Sequence, residues 1–247
     1  MKITSVNNEL VKETAKLLKN KYREETGCFL IEGEKGVNEA IQAGLVLRYI
    51  FTEENTNSYS GNNVIETTEA VLSKISDAKS APKVVAVAEQ LKYSAEDLRN
   101  AKKVLLLEGI KDAGNLGTIL RTSVAFGVDG IVLYGNTVDL YNPKCVRSAV
   151  GNLWKIPVIS INNLVELEEL FCGFERVATL PKGKNVVNLK DYVAPEKVLI
   201  MFGSEADGLS DELKTFATKN VTIEMDPTVE SLNLSVSVAV LVYTILK

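Results

Sequence analysis

The stretch Leu107-Glu-Gly-Ile-Lys-Asp-Ala-Gly-Asn-Leu-Gly-Thr-Ile-Leu-Arg-Thr-Ser123 joins two segments of different periodicity. Residues 104–107 form a continuous apolar run, which is typical of a short buried strand. Leu116, Ile119 and Leu120 recur at the spacing of one helical face, which predicts a helix over residues 116–126. The sequence therefore indicates a strand, a tight turn and a helix in immediate succession.

The turn between this strand and this helix is Asp112-Ala-Gly-Asn115. Its glycine permits a ligand to approach the backbone closely, and we expect Asn115 to cap the following helix. Arg121 falls on a different helical face from the apolar residues, so its side chain is available for a site. A strand, turn and helix of this kind occur in many α/β ligand sites, so the stretch predicts a site without specifying a reaction.

From residue 104 onward, apolar runs alternate with amphipathic segments, which is the pattern of a parallel sheet flanked by helices. The predicted strands are residues 104–107, 130–134, 157–161, 176–179, 198–202 and 221–223. The predicted helices are residues 116–126, 143–150, 164–171, 210–216 and 233–246. We therefore predict an α/β domain over residues 104–247.

Residues 1–92 have a mixed pattern that is typical of a smaller α/β domain. The predicted helices are residues 8–21, 36–43 and 68–76, and the predicted strands are residues 28–32, 48–52 and 83–88. Residues 53–63 are polar and are predicted to form a surface loop. Residues 93–103 are mostly polar and charged, so we assign them to a linker between the two domains.

The composition of the 247-residue chain narrows the chemistry available to it. The net charge of −4 gives no general sign of nucleic-acid binding, although a local basic patch would not show in that sum. The chain contains no histidine, which excludes catalytic triads and metal sites that depend on histidine. Cysteine pairs at metal-ligand spacing are also missing from the sequence, so we expect no metal site.

The cysteine content and the apolar segments bear on the location of the protein. The three cysteines are widely spaced, which indicates a reducing compartment. The first eight residues hold no apolar signal core, and the apolar stretch 236–246 is shorter than the roughly 20 residues of a membrane span. We therefore expect a cytoplasmic protein without a membrane segment.

Two later segments place polar residues at the ends of predicted elements. After the strand at residues 198–202, the loop Gly-Ser-Glu-Ala-Asp-Gly leads to a helix, and no Lys-Ser/Thr follows it as in a phosphate loop. At the start of the last helix, Ser231, Asn233 and Ser235 exceed what capping requires. Taken singly, each segment is also compatible with an ordinary turn or a helix cap.

Taken together, the three segments resemble the motifs of the SpoU (TrmH-like) family of SPOUT RNA methyltransferases. They follow the family's order and spacing over residues 104–247, with Leu234 where the family usually has valine and Ala113 where many members have proline. The N-terminal part resembles the family's ribosomal-protein-like substrate-binding domain through its pattern and Glu32-Gly33. The matched motif residues are Asn115, Gly117, Arg121 and Thr122, then Gly203, Ser204, Glu205 and Gly208, then residues 230–235.

The resemblance implies a parallel α/β domain with a deep trefoil knot, which is a rare exception to the rule against knotted chains. It also implies S-adenosylmethionine bound in the knot, and a homodimer in which each site borrows groups from the partner's first motif. Backbone groups and apolar side chains suit an adenine ring. The residues expected at the cofactor are Thr179, Leu180, Gly203, Ile223, Met225 and Leu232.

The reaction implied by the resemblance is methyl transfer to a ribose 2′-hydroxyl of RNA, with rRNA preferred over tRNA. A guanidinium pKa above ~12 makes Arg121 a poor proton acceptor, so we expect it to stabilise the developing alkoxide. Asn115 would orient Arg121 or the ribose, and Glu205 would hold Arg121 or a loop amide. Ser231 and Asn233, with Ser235, would fix the closing helix and the substrate backbone.

Several basic residues are predicted to contact RNA phosphates, with a binding affinity that falls as salt rises. A solvated, lysine-rich helix face explains the helical lysines equally well. The predicted RNA contacts are Lys12, Lys16, Lys19, Arg23, Lys111 and Arg147.

Two other classes of function remain open from the sequence. A non-catalytic RNA-binding or ribosome-assembly protein could keep the same fold, but the intact Asn115, Arg121 and residues 230–235 favour an enzyme. A nucleotide- or dinucleotide-using α/β enzyme is disfavoured, because the chain has neither a phosphate loop nor a glycine-rich dinucleotide fingerprint.

Overall fold

The computed structural model describes residues 1–53, 56–59 and 61–246, and the chain divides into two compact units. The first unit contains residues 1–92 together with Asp139–Trp154, and the second contains Tyr93–Val138 together with the chain from Lys155 onward. Residues 93–103, predicted as a linker, group with the second unit because Leu98 and Ala101 are buried in its core. Within the described residues, no helix is both long and apolar enough to cross a bilayer.

Most of the predicted helices and strands are present, together with two short strands, Val64–Glu66 and Val187–Asn188, that the periodicity does not predict. The strands are β1 (Cys28–Glu32), β2 (Leu47–Thr52), β3 (Val64–Glu66), β4 (Val84–Glu89), β5 (Lys103–Glu108), β6 (Gly130–Tyr134), β7 (Val158–Ile161), β8 (Glu175–Thr179), β9 (Val187–Asn188), β10 (Val198–Phe202) and β11 (Lys219–Thr222). The helices are α1 (Glu9–Lys16), α2 (Asn20–Thr26), α3 (Glu34–Gln42), α4 (Glu69–Lys74), α5 (Ala113–Ala125), α6 (Pro143–Ala149), α7 (Leu164–Leu170), α8 (Asp211–Phe216) and α9 (Leu234–Leu246).

The second unit is built on a parallel sheet, which confirms the predicted α/β class. Its strand order is β7-β6-β5-β10-β8-β11-β9, and each neighbouring pair is parallel. β5, β6 and β10 are almost wholly buried, which explains their continuous apolar runs. Because β5, β8, β10 and β11 are parallel, the loops that follow them leave the same edge of the sheet. Ligands of parallel sheets bind at this edge.

The first unit holds a four-stranded sheet in the order β1-β4-β2-β3. β4 is antiparallel to both β1 and β2, and β3 is parallel to β2. Its core is formed by apolar side chains of the sheet and of α1 and α4, including Leu30, Phe51, Val85 and Leu72. The short β3 lies outside the predicted strands, since three residues carry too little alternation to be recognised.

The helix predicted over residues 8–21 is wrong in one respect, because the chain forms two helices there. α1 ends at Lys16, and Lys19 adopts an extended conformation before α2 begins. The carbonyl of Leu17 accepts a hydrogen bond from the Arg23 guanidinium at 2.7 Å instead of continuing the helical ladder. Of the predicted loop over residues 53–63, positions 54, 55 and 60 lie outside the described residues.

Arg23 is a structural residue of the first unit, so its predicted contact with RNA is wrong. Its side chain is only 2% exposed, and its Nε donates to Asp139 Oδ2 at 2.6 Å. The guanidinium therefore joins α2 to the segment Asp139–Trp154, which lies 116 positions away in the sequence. A buried guanidinium that is fully engaged in this way presents no charge to a phosphate.

The RNA contact predicted for Arg147 stays a prediction, and this side chain has partners within the first unit. Arg147 on α6 donates from NH1 to Glu32 at 3.0 Å and from NH2 to Asp77 at 3.0 Å. Glu32 is nearly buried, with a side chain that is 3% exposed, and its other oxygen accepts the Asp77 backbone N–H at 3.0 Å. The charge of Arg147 is thus neutralised within the unit by two carboxylates.

Replacing Arg23 by alanine should lower the free energy of unfolding of the protein. The change leaves the half-buried Asp139 carboxylate without its cation, and breaking such a pair costs about 3 kcal/mol of unfolding free energy. The control is Arg48→Ala, because Arg48 pairs with Glu89 on the surface of the same unit and should cost less than ~1 kcal/mol. Chemical denaturation measures the free energy of unfolding of both variants. Equal losses in the two variants would contradict the interpretation of Arg23 and Asp139 as a buried ion pair.

Candidate active site

A cavity of about 680 Å³ opens at the carboxyl edge of the sheet in the second unit. Its walls come from the ends of β8, β10 and β11, from the loops that follow them and from the start of α9. All the residues predicted to bind the cofactor line it, namely Thr179, Leu180, Gly203, Ile223, Met225 and Leu232. The cavity is also lined by Glu205, Ser231 and Asn233 from the predicted catalytic set.

The wall of the cavity combines apolar side chains with backbone polar groups. Leu180, Ile223, Met225 and Leu232 give apolar surface, and the loop of residues 203–209 offers main-chain N–H and C=O groups. The hydroxyl of Thr179 donates to the carbonyl of Met201 at 2.9 Å, so this side chain braces β8 against β10. This combination of apolar walls and main-chain polar groups suits a nucleoside.

The loop after β10 has a shape that requires glycine at its first position. A Cβ added to Gly203 would lie 1.9 Å from the carbonyl carbon of Gly208 and 2.1 Å from the backbone nitrogen of Leu209. Gly208 itself has a φ of +67°, which disfavours other residues, and its N–H donates to the carbonyl of Ser204 at 3.0 Å. The two glycines therefore allow the beginning and the end of the loop to pack against each other, and the loop residues line the cavity.

The first predicted motif forms the start of α5, but its cap is not the predicted residue. Asp112 is the N-cap, and its Oδ1 accepts the backbone N–H of Asn115 at 2.9 Å. The expectation that Asn115 caps the helix is thus wrong, because Asp112 already occupies that position. An acidic residue three positions before a helical pattern was the sequence signal that could have identified this cap. The Asn115 amide remains available for contacts with the other loops.

Asn115 links the three motif segments through its side-chain amide. Its Nδ2 donates to Glu205 Oε1 at 2.7 Å, and its Oδ1 accepts from Asn233 Nδ2 at 3.1 Å. We call Asn233, Asn115 and Glu205 the amide chain. Asn233 also caps α9, since its Oδ1 accepts the N–H of Ser235 at 2.9 Å and the Ser235 hydroxyl at 2.7 Å. The first, second and third motifs therefore meet at one edge of the cavity.

Arg121 is not part of this cluster. It is exposed on the face of α5 opposite the buried Leu116, Ile119 and Leu120, as the helical spacing predicts. It does not line the cavity, and within the described part of the chain its guanidinium has no hydrogen-bond or ion-pair partner. Glu205 binds the Asn115 amide instead of Arg121. One chain by itself thus brings together Asn115, Glu205, Ser231 and Asn233, and leaves Arg121 apart.

The remaining residues predicted to contact RNA differ in their availability. Lys12 and Lys19 are exposed, whereas Lys16 donates to Glu13, and this hydrogen bond raises the pKa of Lys16. Lys111 is exposed and donates to the carbonyl of Asn136. The site contains no metal-binding arrangement among the described residues, which hold no cluster of three or more His, Cys, Asp or Glu suited to an ion.

Some residues of the cavity were not identified from the sequence. Ser237 and Leu241 on α9, Phe202 at the end of β10 and Pro181 after β8 all contribute to its lining. The only signal that could have revealed Ser237 and Leu241 is their position one and two turns beyond Asn233 on the same helical face. Glu230, already matched as a motif residue, also lines the cavity.

The fold and the site together define a class of protein. A parallel sheet carries a nucleoside-sized, largely apolar cavity at its carboxyl edge, and three separate polar segments meet at the rim of that cavity. These are features of an α/β enzyme domain that binds a nucleoside-containing cofactor.

Comparison with known proteins identifies the family. Residues 102–243 match the model of the SpoU rRNA methylase family, and residues 8–86 match that of the MRM3-like substrate-binding domain. The chain belongs to the SpoU rRNA methylase family.

Individual relatives span almost the whole chain. The 23S rRNA (guanosine(2553)-2′-O)-methyltransferase RlmP of Bacillus subtilis is 32% identical over 98% of this chain and 97% of its own length. An uncharacterised tRNA/rRNA methyltransferase of Synechocystis is 33% identical over 98% of this chain and 92% of its own. The crystal structure of an AdoMet-bound rRNA methyltransferase from Sinorhizobium meliloti superposes with a TM-score of 0.90 at 28% identity, covering 99% of this chain and 96% of that one.

Substituting Gly203 by alanine should abolish tight binding of the cofactor product, S-adenosylhomocysteine. The new methyl group would overlap the backbone of Gly208 and Leu209, so the loop would open and affinity should fall about tenfold or more. The control is Gly183→Ala, where the nearest atom to an added Cβ is 3.8 Å away. Calorimetric titration of both variants tests this, and unchanged affinity in Gly203→Ala would disprove the role of the loop.

Proposed function

We propose that the protein transfers a methyl group from S-adenosylmethionine to a ribose 2′-hydroxyl of ribosomal RNA. The observation that carries this proposal is the amide chain, which joins all three family motifs at the rim of a nucleoside-sized cavity. Membership of the SpoU family supports the reaction type, and the 23S rRNA named for the Bacillus subtilis relative supports the substrate. Transfer RNA is the alternative substrate.

The residues of the cavity fit S-adenosylmethionine. Apolar side chains such as Ile223 and Leu232 suit the faces of an adenine ring, and the main chain of residues 203–209 can bond its polar edge. When bound, the cofactor supplies an electrophilic methyl group. The chain itself contributes binding, orientation and the exclusion of water. Gly203 allows the two ends of the loop of residues 203–209 to approach each other closely.

Arg121 is the residue to which we assign stabilisation of the 2′-oxygen as its proton passes to a water molecule. A guanidinium stays protonated in proteins, so it remains a cation and a donor and lowers the energy of an alkoxide rather than accepting a proton. The amide chain orients α5, on which Arg121 lies, relative to the loop of residues 203–209. Ser231 and Asn233 lie where they can position the substrate backbone.

The exposure of Arg121 supports a homodimer in which this residue serves the partner's site. Arg121 has no partner among the described residues and stands away from the cavity of its own chain. α9, which packs against α5, exposes Val236, Val240 and Tyr243 at helical spacing. Such an apolar stripe suits contact with a second copy of the chain.

Two further features belong to the same proposal. The insertion of β10 between β5 and β8 supports the trefoil knot expected of the family, because the chain returns to the middle of the sheet after it has placed strands on both sides of that position. The predicted cytoplasmic location is supported by cysteines that stay unpaired, two of which are buried.

Methyl transfer is tested with tritiated cofactor and an unmodified 23S rRNA transcript. We expect label in the RNA at a position that resists alkaline cleavage, as a 2′-O-methyl ribose must. A tRNA pool serves as the competing substrate. Label in tRNA alone would correct the substrate, and cofactor binding without transfer to either RNA would favour a non-catalytic RNA-binding protein.

Replacing Arg121 by alanine should reduce methyl transfer about 10²- to 10³-fold, because one donor to a developing oxyanion is lost. Binding of S-adenosylhomocysteine should remain as in the wild type, since Arg121 does not line the cavity. Single-turnover kinetics and calorimetry give the two quantities. Near-normal transfer by Arg121→Ala would remove the residue from the catalytic set.

A mixture of Arg121→Ala and Gly203→Ala chains tests whether Arg121 acts across a dimer. A mixed dimer has one site in which an intact loop meets an intact arginine from the partner, so activity should return on mixing. If both variants act only within their own chain, no activity appears in the mixture.

Lys12 and Lys19 should set part of the salt dependence of RNA binding. Replacing both by glutamine should lower the slope of log affinity against log salt by about one to two, because each released phosphate contact contributes nearly one unit. The control is Lys102→Gln, whose lysine already pairs with Glu196 at 2.5 Å. Filter binding from 50 to 300 mM salt measures the slope, and an unchanged slope would place the RNA elsewhere.

A further inference from the structure

The loop of residues 203–209 is held on the side away from the cavity as well as at its rim. Glu108, the last residue of β5, accepts the backbone N–H of Ser210 through its Oε2 at 2.7 Å. Ser210 is the N-cap of α8, and its own Oγ accepts the N–H of Leu213 at 3.2 Å. Glu108 thus fixes the point at which the loop ends and α8 begins.

A second contact reinforces this point. The hydroxyl of Tyr134, at the end of β6, donates to Glu212 Oε2 at 2.9 Å in the first turn of α8. Burial, together with this hydrogen bond to Glu212, raises the pKa of Tyr134 to about 12, so the hydroxyl remains a donor at neutral pH. The ends of two adjacent strands, β5 and β6, therefore both hold the start of α8.

Glu108 contacts the loop without contacting the cavity. Residues 203–209 all line the cavity, whereas Glu108 and Ser210 do not. Leu209, next to Ser210, is 2% exposed and packs in the core of the unit, so its position and that of the Ser210 N–H are linked. Any influence of the Glu108 carboxylate on a ligand must therefore act through the loop.

We infer that Glu108 is a positioning residue for the cofactor, which it serves by fixing the exit of the loop of residues 203–209. This inference rests on the proposed function. A loop already held in its binding conformation loses less entropy when a ligand binds. A loop released at one end must become ordered when the ligand binds, and this ordering lowers the affinity. The loss of the hydrogen bond between Ser210 and Glu108 therefore weakens cofactor binding, and the rate of the chemical step at saturating cofactor changes little.

The test compares Glu108→Ala with a variant that loses the same kind of contact elsewhere. Asp129 accepts the backbone N–H groups of Lys102 and Lys103 at 2.8 Å each, at the opposite edge of the same sheet. Asp129→Ala therefore removes a carboxylate that holds backbone N–H groups without touching the loop. Glu108→Gln is the conservative variant, since its amide oxygen can still accept the Ser210 N–H.

We expect the dissociation constant for S-adenosylhomocysteine and the KM for the methyl donor to rise about tenfold in Glu108→Ala, with kcat changed less than about threefold. Glu108→Gln should restore most of the affinity. Asp129→Ala should lower the melting temperature at least as much as Glu108→Ala while binding S-adenosylhomocysteine as the wild type does.

The outcomes separate this inference from the proposed function. If the wild type binds S-adenosylhomocysteine and Glu108→Ala binds it equally well, Glu108 has no positioning role and the proposed function stands. If Asp129→Ala weakens binding as much as Glu108→Ala, the effect is general destabilisation and the inference is wrong. If the wild type itself shows no binding, the proposed cofactor fails and this inference fails with it.

Discussion

Three segments at the carboxyl edge of the sheet in the second unit are joined through the hydrogen bonds of one asparagine. Asn115 donates to Glu205 and accepts from Asn233, so its single amide fixes loops that follow β5, β10 and β11. An amide can serve this purpose because it carries a donor and an acceptor in one plane. Aspartate at this position would offer only acceptors to a carboxylate and an amide, so one of the two links would be lost. The contact among the three motifs therefore requires both the position of Asn115 and the donor and acceptor of its amide.

The absence of histidine gives this site a different character from sites built on a titrating base. The candidate groups around the cavity include amides, hydroxyls, main-chain atoms, the amine of Lys214 and three carboxylates, Glu205, Asp207 and Glu230. Glu205 accepts a hydrogen bond from Asn115, and Asp207 accepts one from the Ser204 hydroxyl. With Arg121 in its proposed role, the reaction depends on orientation and on charge stabilisation. A rigid arrangement of loops matters more here than a tuned pKa.

Much of the second unit could be predicted because its signals are local. Continuous apolar runs predicted β6 and β10 with their observed bounds, and the motif residues after β5, β10 and β11 were identified from the resemblance to the SpoU family. Two predictions failed, one where neighbouring residues offer the same chemistry and one that depends on residues distant in sequence. The cap of α5 was misplaced by three residues, because Asp112 and Asn115 have equal capping chemistry. The break between α1 and α2 involves Arg23, whose main partner Asp139 belongs to another part of the chain. Periodicity contains no information about such a partner.

Arg23 and Arg121 show how the structure distinguishes two basic residues that look alike in the sequence. In the sequence, Arg23 and Arg121 are both basic residues in helical segments. In the structure, Arg23 is buried and bound to a carboxylate and a carbonyl, so removing its charge would weaken the fold. Arg121 is exposed on a helix whose other face is buried, and no described residue neutralises it. An exposed guanidinium without an ion-pair partner in the described part of its own chain is available to a ligand or to a second copy of the chain, which is the role proposed for it.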